Sequence, residues 1–289
     1  MKIPPLSSLR CALTLLALLP LSSVRAAAPA APAPIEPKDV VVLFDGKTKK
    51  DLAPFYTWLA KFGRQDPDKV FTVVDHIDGA PAIRSSGQHY GGIVTKSEFT
   101  NYRLILEYRW GILTWEPRTT KSRDSGILLH CQGEDGNYAK AFNAPWLSSY
   151  EYQIIEGGTG DLLVLNGYER GQDKPTIIPK ITAQVAANGK NWDPNGKATE
   201  FNRGRIDWQY RDLGWKDVLG FRGSKDVEKP IGEWNYVEAI CDGGNLTYFL
   251  NGVKILAATG ASVTSGRLLF QSEGAEIYFR RIELHPLKK

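Results

Sequence analysis

Two strand-like segments decide the fold of this chain: RDSGILLHCQGEDG (residues 123–136) and SSYEYQIIEGGTGDLLVLNG (residues 148–167). Successive side chains of a β-strand point to opposite faces of the sheet, so alternation is the informative pattern. In the first segment Ile127, Leu129 and Cys131 fall on one face. The opposite faces of the two segments carry Asp124, Leu128, His130 and Gln132, and then Ser149, Glu151 and Gln153. The pattern predicts two strands that each have a polar face.

A third segment, YRLILEYRW (residues 102–110), alternates in the same way and places Glu107 and Arg109 on its polar face. If all three strands share one sheet, a single solvent-facing surface carries Glu107, Arg109, His130, Gln132, Glu151 and Gln153. Such a surface suits a carbohydrate or another polar substrate. Any half-exposed antiparallel sheet shows the same alternation, so the pattern alone leaves both interpretations open.

The rest of the chain predicts an all-β protein. Strand-like segments recur about every 8 to 12 residues, separated by turn residues such as Asp78-Gly79 and Asn251-Gly252. The one early segment that could form a short helix is FYTWLAKF (residues 55–62), and no internal repeat is evident. We therefore expect two packed antiparallel sheets in a jelly-roll sandwich of roughly ten to fourteen strands.

The N-terminal residues 1–26 have the pattern of a signal peptide. Lys2 and Arg10 form a basic start, Cys11 to Leu21 an apolar stretch, and Val24-Arg25-Ala26 a cleavage site. The apolar stretch is shorter than the 18 or so residues that suggest a membrane span. These features predict a periplasmic or secreted protein that does not span the membrane.

Beyond the leader, residues 27–38 read as an Ala/Pro-rich tether and residues 39–289 as a single domain. Within that domain, residues 171–229 are polar and irregular, as expected of an insertion or a lid. Its tryptophans are Trp192, Trp208 and Trp215. They could stack against sugar rings, or they could anchor the insertion to the sandwich.

Charge and cysteine content exclude several classes of function. Of the 36 Lys and Arg residues, three lie in the leader, which leaves 33 cations against 32 anions. No cluster of basic residues interleaved with aromatic residues stands out, so nucleic acid is not an expected partner. Four histidines are too few for a histidine-rich metal centre. Cys131 and Cys241 could pair in an oxidising compartment or remain buried thiols.

The chemistry of the chain is therefore expected to depend on carboxylates. No nucleophile elbow, phosphate-binding loop, dinucleotide fingerprint or HExxH motif occurs. Glu151 lies on the polar strand face and Glu156 at the end of that strand. Glu107 would come within about 5 to 9 Å of Glu151, a separation suited to glycoside chemistry, only if their strands were close neighbours.

Several motifs resemble the 3-keto-disaccharide hydrolase domain family, in order along nearly all of the chain after the leader. They are LFDGK (43–47), DSGILLHCQG (124–133), WxxSxExQxxEGGTGD (146–161), WKDVLGFRG (215–223), EWNYVEAICDG (233–243) and FQSEGAEIYFRRIEL (270–284). The resemblance implies a jelly-roll fold similar to concanavalin A-like lectins and glucanases. It also implies cleavage of glycosides whose sugar carries a ketone at C3. That ketone acidifies the C2 proton, so a base, an acid and donors to an enolate oxygen are needed.

From this resemblance we expect Glu151 to act as base or acid with His130 as its partner, and Arg123 to stabilise the enolate. The expected substrate-binding residues are Asp124, Gln132, Gln153, Glu107, Arg109, Trp146 and Glu156. No cofactor is expected, although Ca²⁺ binds to many related sandwiches. A non-catalytic carbohydrate-binding protein on the same fold is the alternative, and a purely structural module is a third interpretation.

Overall fold

Antiparallel β-strands make up all the regular structure described by this computed structural model, which covers Met1 and residues 32–288. Residues from Ala33 onward form one compact unit. Among the described residues no helix is long and apolar enough to cross a membrane. The predicted signal peptide and the first part of the tether lie outside the described residues. The end of the tether joins the sandwich, since Ile35 bridges Phe99.

Eighteen strands follow one another along the described chain. They are β1 (Val41–Phe44), β2 (Phe55–Leu59), β3 (Phe71–Ile77), β4 (Ala80–Ser85), β5 (Gly91–Thr95), β6 (Phe99–Thr100), β7 (Tyr102–Thr114), β8 (Asp124–Gln132), β9 (Ser148–Ile155), β10 (Leu162–Leu165), β11 (Ile181–Val185), β12 (Lys197–Phe201), β13 (Gly204–Ile206), β14 (Asn235–Asp242), β15 (Asn245–Leu250), β16 (Val253–Thr259), β17 (Ser265–Ser272) and β18 (Ala275–Pro286).

The strands form two sheets. The ten-stranded sheet has the order β12-β11-β16-β15-β14-β7-β18-β4-β3, with β1 also paired to β18. The eight-stranded sheet has the order β13-β10-β9-β8-β17-β5-β2, with β6 also paired to β17. The predicted all-β sandwich of two antiparallel sheets is confirmed.

The core lies between the sheets and is built from the apolar faces of their strands. Aromatic pairs span it: the rings of Tyr152 and Tyr248 are 4.7 Å apart, and those of Phe270 and Phe279 are 6.0 Å apart. Such pairs combine large apolar burial with favourable ring geometry. The core therefore fixes how the strands of the eight-stranded sheet present their opposite, outer face.

The residue types at two hairpin turns correctly predict which neighbouring strands are joined. Asp78 and Gly79 both have positive φ (53° and 79°) and join β3 to β4, as predicted. Asn251 and Gly252 (51° and 82°) join β15 to β16 in the same way. Asn-Gly and Asp-Gly are favoured where both central residues of a hairpin turn need positive φ.

Two possibilities that the sequence left open do not hold. The segment beginning at Phe55 is not a helix, because its residues pair with β5 as the edge strand β2. Strand β7 does not share a sheet with β8 and β9: it lies between β14 and β18 in the ten-stranded sheet. Alternation identified each strand but carries no information on which strands pair.

The segment from 171 to 229 is more regular than predicted. It supplies β11 and β12 to one sheet and β13 to the other. Trp192 and Trp208 are buried in the core, and Trp215 donates its indole N–H to the carbonyl of Glu156 at 2.8 Å. All three tryptophans anchor the segment, so the second of the two interpretations holds.

Candidate functional site

A polar notch lies at the centre of the outer face of the eight-stranded sheet. Gly126 of β8 pairs with Gln153 of β9 and lies beside Gln271 of β17. A Cβ atom at position 126 would lie 2.5 Å from Glu151 Oε1 and 2.6 Å from Gln271 Oε1. The missing side chain therefore leaves the space in which the Glu151 carboxyl and the Gln271 amide come together. Gln271 Oε1 is buried without a hydrogen-bond partner among the described residues.

Glu151 is only 3% exposed, and this burial dominates its chemistry. Burial, and next the charge of the neighbouring Asp124, raise the pKa of Glu151 to about 8, although Arg205 and a hydrogen bond from Gln271 act in the opposite direction. A carboxyl in a poorly solvated position resists ionisation in this way. Glu151 can therefore exchange a proton near neutral pH, as a general acid or base requires.

Asp124 and Glu273 lie beside Glu151 and share one cation. Arg118 forms an ion pair with Asp124 and lies 3.6 Å from Glu273. Gln153 donates its amide N–H to Asp124. Burial raises the pKa of both carboxyls, and Arg118 opposes the effect. Three carboxyl groups thus converge on one part of the sheet, with an arginine held against two of them.

An open groove of about 520 Å³ lies over β10 and β13, next to the strand that carries Glu151. Leu163, which lies directly opposite Glu151 in the register of β9 and β10, forms part of its floor, and Arg205 pairs with Leu163 from β13. Tyr138 stands over the same groove. Burial, and next the Glu151 charge, raise the pKa of Tyr138.

An aromatic pair borders the other side of the notch. The rings of Tyr90 and Trp146 are 5.9 Å apart and tilted by 31°. Burial and the charge of Glu273 raise the pKa of Tyr90, and Arg118 lowers it, which places Tyr90 beside that cluster. The site thus has an aromatic border at one end, carboxyls in the middle and an open groove at the other end.

A family model described as a 3-keto-α-glucoside-1,2-lyase-like domain matches residues 39–285 of this chain. The chain belongs to this family. It is a carbohydrate-active protein with a sandwich fold, and the family named from its sequence motifs is confirmed. A comparison with curated proteins gives no match.

Solved structures with related architecture have low sequence identity to the domain. A proposed glycosyl hydrolase from Parabacteroides distasonis ATCC 8503 is 19% identical, with 86% of this chain and 95% of that chain covered and a TM-score of 0.48. A carbohydrate-binding module, CBM66 of Bacillus subtilis, is 9% identical (74% and 91% covered, TM-score 0.38). A Bacillus licheniformis β-glucanase is 8% identical (81% and 97% covered, TM-score 0.34). Similarity at this level carries no information on individual residues.

Four residues expected at the site do lie on the outer face of the eight-stranded sheet. Glu151, Asp124 and Gln153 surround the notch. Trp146 packs on the apolar cluster next to it and against Tyr90. The alternation in β8 and β9 was sufficient to place the three polar side chains on one face.

His130 does not lie with Glu151. It has a positive φ of 55°, and the register between β8 and β9 shifts at this point. Its ring packs edge-on against core Tyr102, 5.6 Å between centroids, and its Nδ1 lies 3.2 Å from the carbonyl of Val263. Burial lowers the pKa of His130 to about 4. The prediction that His130 partners Glu151 is therefore wrong.

Gln132 is also occupied elsewhere. Its amide donates to the carbonyls of Ser265, His130 and Cys131 at 2.7, 3.2 and 3.3 Å. These bonds hold the irregular end of β8 against β17. Gln132 is a structural residue here, not the substrate-binding residue that was predicted.

Arg123 and Glu156 form a buried pair with each other. Arg123 Nη1 lies 2.7 Å from Glu156 Oε1, and the Arg123 backbone N–H donates to Oε2 at 2.9 Å. The backbone N–H of Gly220 donates to the same oxygen at 2.8 Å. The pair fastens the loop around Gly220 to the end of β9, so Arg123 is not available to an enolate and Glu156 is not available to a sugar.

Glu107 and Arg109 lie on the outer face of the ten-stranded sheet. Glu107 accepts from Arg280 at 2.6 Å, and Arg109 forms an ion pair with Asp78. Their predicted place beside Glu151 is wrong, because β7 belongs to the other sheet.

Sequence reasoning missed the residues that complete the notch. They are Arg118, Tyr138, Arg205, Gln271 and Glu273. The polar residues at 271 and 273 were available as a signal, since Gln271 lies on β17 and Glu273 follows two positions later, just beyond the end of that strand, within the motif that begins FQSEGAE. The other three residues come from loops (Arg118 and Tyr138) or from the short edge strand β13 (Arg205). Side-chain alternation does not predict the position of such residues.

Metal binding has no obvious centre in the described part of the chain. Within Met1 and residues 32–288, no group of three or more His, Cys, Asp or Glu side chains could hold a metal ion. Cys131 and Cys241 are both free, buried thiols.

Proposed function

We propose that this domain cleaves 3-keto-glycosides, and that Glu151 is the group that removes the C2 proton. The observation that carries the proposal is a buried carboxyl with a pKa of about 8, placed at the edge of an open groove. A general base is most effective when its pKa is close to the working pH. Family membership supports a substrate with a ketone at C3.

The reaction begins with transfer of the C2 proton to Glu151. The electron pair of the C2–H bond moves toward C3 and gives an enolate, because the ketone accepts the charge. As the ketone re-forms, a double bond forms between C1 and C2 and the bond from C1 to the leaving oxygen breaks. Addition of water across that double bond completes hydrolysis.

The surrounding residues supply the remaining functions in this proposal. Arg205 pairs with Asp161 at 3.0 Å through Nη1, but its side chain stays about a third exposed, unlike that of Arg123. Because it also lies close enough to oppose the rise in the Glu151 pKa, it can neutralise the enolate. Tyr138 can protonate the leaving oxygen from the groove side. Asp124 and Glu273, held by Arg118, can bind sugar hydroxyls on the opposite side. The Tyr90–Trp146 pair offers an apolar surface for the sugar ring.

The test compares purified parent protein with Glu151→Gln and Glu200→Gln, using a 3-keto-glucoside and chromatographic detection of product. Glu200 lies on β12 at the far edge of the other sheet, with its side chain 60% exposed, so its variant is the matched control. We expect product from the parent and the control, and a loss on the order of 10²–10⁴-fold for Glu151→Gln. Full turnover by a folded Glu151→Gln protein would contradict the proposal.

A non-catalytic role gives a different result in the same experiment. A carbohydrate-binding protein would show sugar affinity by calorimetry without product from any of the three proteins. Export to the periplasm or medium is part of the proposal as well, and cell fractionation of the expressed full-length chain tests it.

A further inference from the structure

The groove over β10 and β13 adjoins the proposed reaction site. Leu163 forms its floor directly opposite Glu151, and Arg205 follows in the next strand. A sugar whose C2 lies at Glu151 would therefore direct its C1 substituent either into this groove or toward Arg118. The Arg118 side is filled by Asp124 and Glu273. The groove, with about 520 Å³, has the space for a leaving group.

The walls of the groove suit a flat, apolar group. Tyr138 and Tyr168 line it together with Pro175 and the side chains of Leu163 and Leu165. Tyr138 is 37% exposed, so its ring is accessible from the groove. Aromatic and proline surfaces of this kind pack well against a planar ring.

The charged side chains that line the groove are all positive. Lys140, Arg203 and Arg205 line it, and no acidic side chain among the described residues does. Arg205 is engaged by Asp161 at 3.0 Å, and Lys140 forms an ion pair with Asp173. Arg203 is exposed and has no ion pair among the described residues. It is therefore the cation that remains available for a ligand.

We propose that this groove receives the leaving group of the substrate and selects an aromatic leaving group that carries a carboxylate. The proposal rests on the function proposed above and adds the class of aglycone. The ring lies between Tyr138 and the apolar floor, and the carboxylate pairs with Arg203. The planar guanidinium of an arginine can donate two parallel hydrogen bonds to a carboxylate.

The test uses two matched substrates, the 3-keto-glucosides of 4-hydroxybenzoate and 4-hydroxybenzamide, which differ in charge but hardly in shape. kcat/KM is measured for both with the parent, Arg203→Gln and Lys197→Gln. Lys197 is an exposed cation of β12 in the other sheet, so its variant controls for net charge. Comparing the acid-to-amide ratio between enzymes cancels the different acidities of the two leaving groups.

We expect Arg203→Gln to lower the acid-to-amide ratio by about five-fold, as for one partly exposed ion pair. It should leave kcat/KM for the amide nearly unchanged, and Lys197→Gln should have no effect on the ratio. The effect should weaken at high salt, where exposed charges are screened. An unchanged ratio in Arg203→Gln, or an equal loss for both substrates, would overturn the proposal.

Failure of the proposed function gives a distinct result. If no 3-keto-glucoside is turned over, calorimetry with free 4-hydroxybenzoate and 4-hydroxybenzamide tests the groove by itself. Tighter binding of the acid by the parent, lost in Arg203→Gln, supports the groove assignment without the reaction. Equal binding of the two compounds, or binding of neither, rejects it.

Discussion

At the scale of single residues, Gly126 determines the geometry of the notch. The neighbouring side chains on the same face of the sheet are long and polar, and two of them occupy the space above Gly126. This arrangement keeps the Glu151 carboxyl buried, and burial is the main cause of its raised pKa. A single absent side chain thus accounts for both the position and the acidity of the proposed catalytic group.

Replacing Gly126 with alanine tests this dependence. The new Cβ would lie 2.5 Å from Glu151 Oε1, so the carboxyl must move. Displacement of a reacting group by about 1 Å can cost on the order of 10² in rate, and we expect that loss in kcat/KM for a 3-keto-glucoside. Gly214→Ala, in an exposed loop, adds the same atom with its nearest contact at 3.2 Å and should keep full activity. Full activity in a folded Gly126→Ala protein would show that the Glu151 position is not critical.

At the scale of elements, the orientation of the side chains at the end of β8 could not be predicted from the sequence. Side-chain alternation holds as far as Leu129, and then the positive φ of His130 reverses it. Non-glycine residues rarely adopt a positive φ, so the sequence does not indicate the change of direction at His130. Hence Asp124 and Glu151 could be placed correctly from the sequence, whereas His130 was placed on the wrong face.

Pairing between distant strands explains the other differences. Hairpins such as β15–β16 were predictable because Asn251-Gly252 specifies its own turn. The contact of β8 with β17 joins segments far apart in the chain, and alternation does not encode such pairings. The polar pattern at Gln271 and Glu273 therefore did not show that they lie beside β8, and Glu107 was placed beside Glu151 although its strand is in the other sheet.

Gln132 should matter for the stability of this element and not for catalysis. Its amide satisfies three carbonyls at the irregular end of β8. Gln132→Ala leaves those acceptors short of donors, and we expect a loss of about 1–3 kcal/mol in the free energy of unfolding by urea. kcat per folded molecule should stay unchanged. Gln172→Ala, at an exposed loop position, is the control, and loss of turnover in Gln132→Ala without loss of stability would contradict the structural role.

At the scale of the whole molecule, buried carboxyls with raised pKa values link folding to pH. Besides Glu151, Glu228 is fully enclosed and accepts hydrogen bonds from the Tyr108 hydroxyl at 2.6 Å and the Trp110 indole N–H at 2.7 Å. Burial raises the pKa of Glu228 to about 7 despite these donors. Two such groups release their protons close to neutral pH, so the stability of the sandwich should change in that range.

The sign of the change follows from proton binding. The folded protein keeps the Glu151 proton up to about pH 8, whereas an unperturbed glutamate releases it near 4.5. Between these values the folded state binds more protons than the unfolded chain, so the free energy of unfolding falls as pH rises. One group contributes at most about 1.4 kcal/mol per pH unit to this slope.

Glu151→Gln should therefore make the domain less sensitive to pH and more stable than the parent above pH 8. A neutral amide fits the same buried position and has no proton to lose, so its unfolding free energy should fall less steeply between pH 5 and pH 8. Urea unfolding at half-unit pH steps measures both slopes, with Glu200→Gln as the exposed control that keeps the parent slope. Parallel curves for parent and Glu151→Gln would mean that Glu151 ionises as easily in the folded state as in the unfolded chain. In that case the raised pKa on which its assignment as the base rests would be absent. A flatter curve together with lost turnover would show that the domain keeps a carboxyl at the notch at the expense of its own stability.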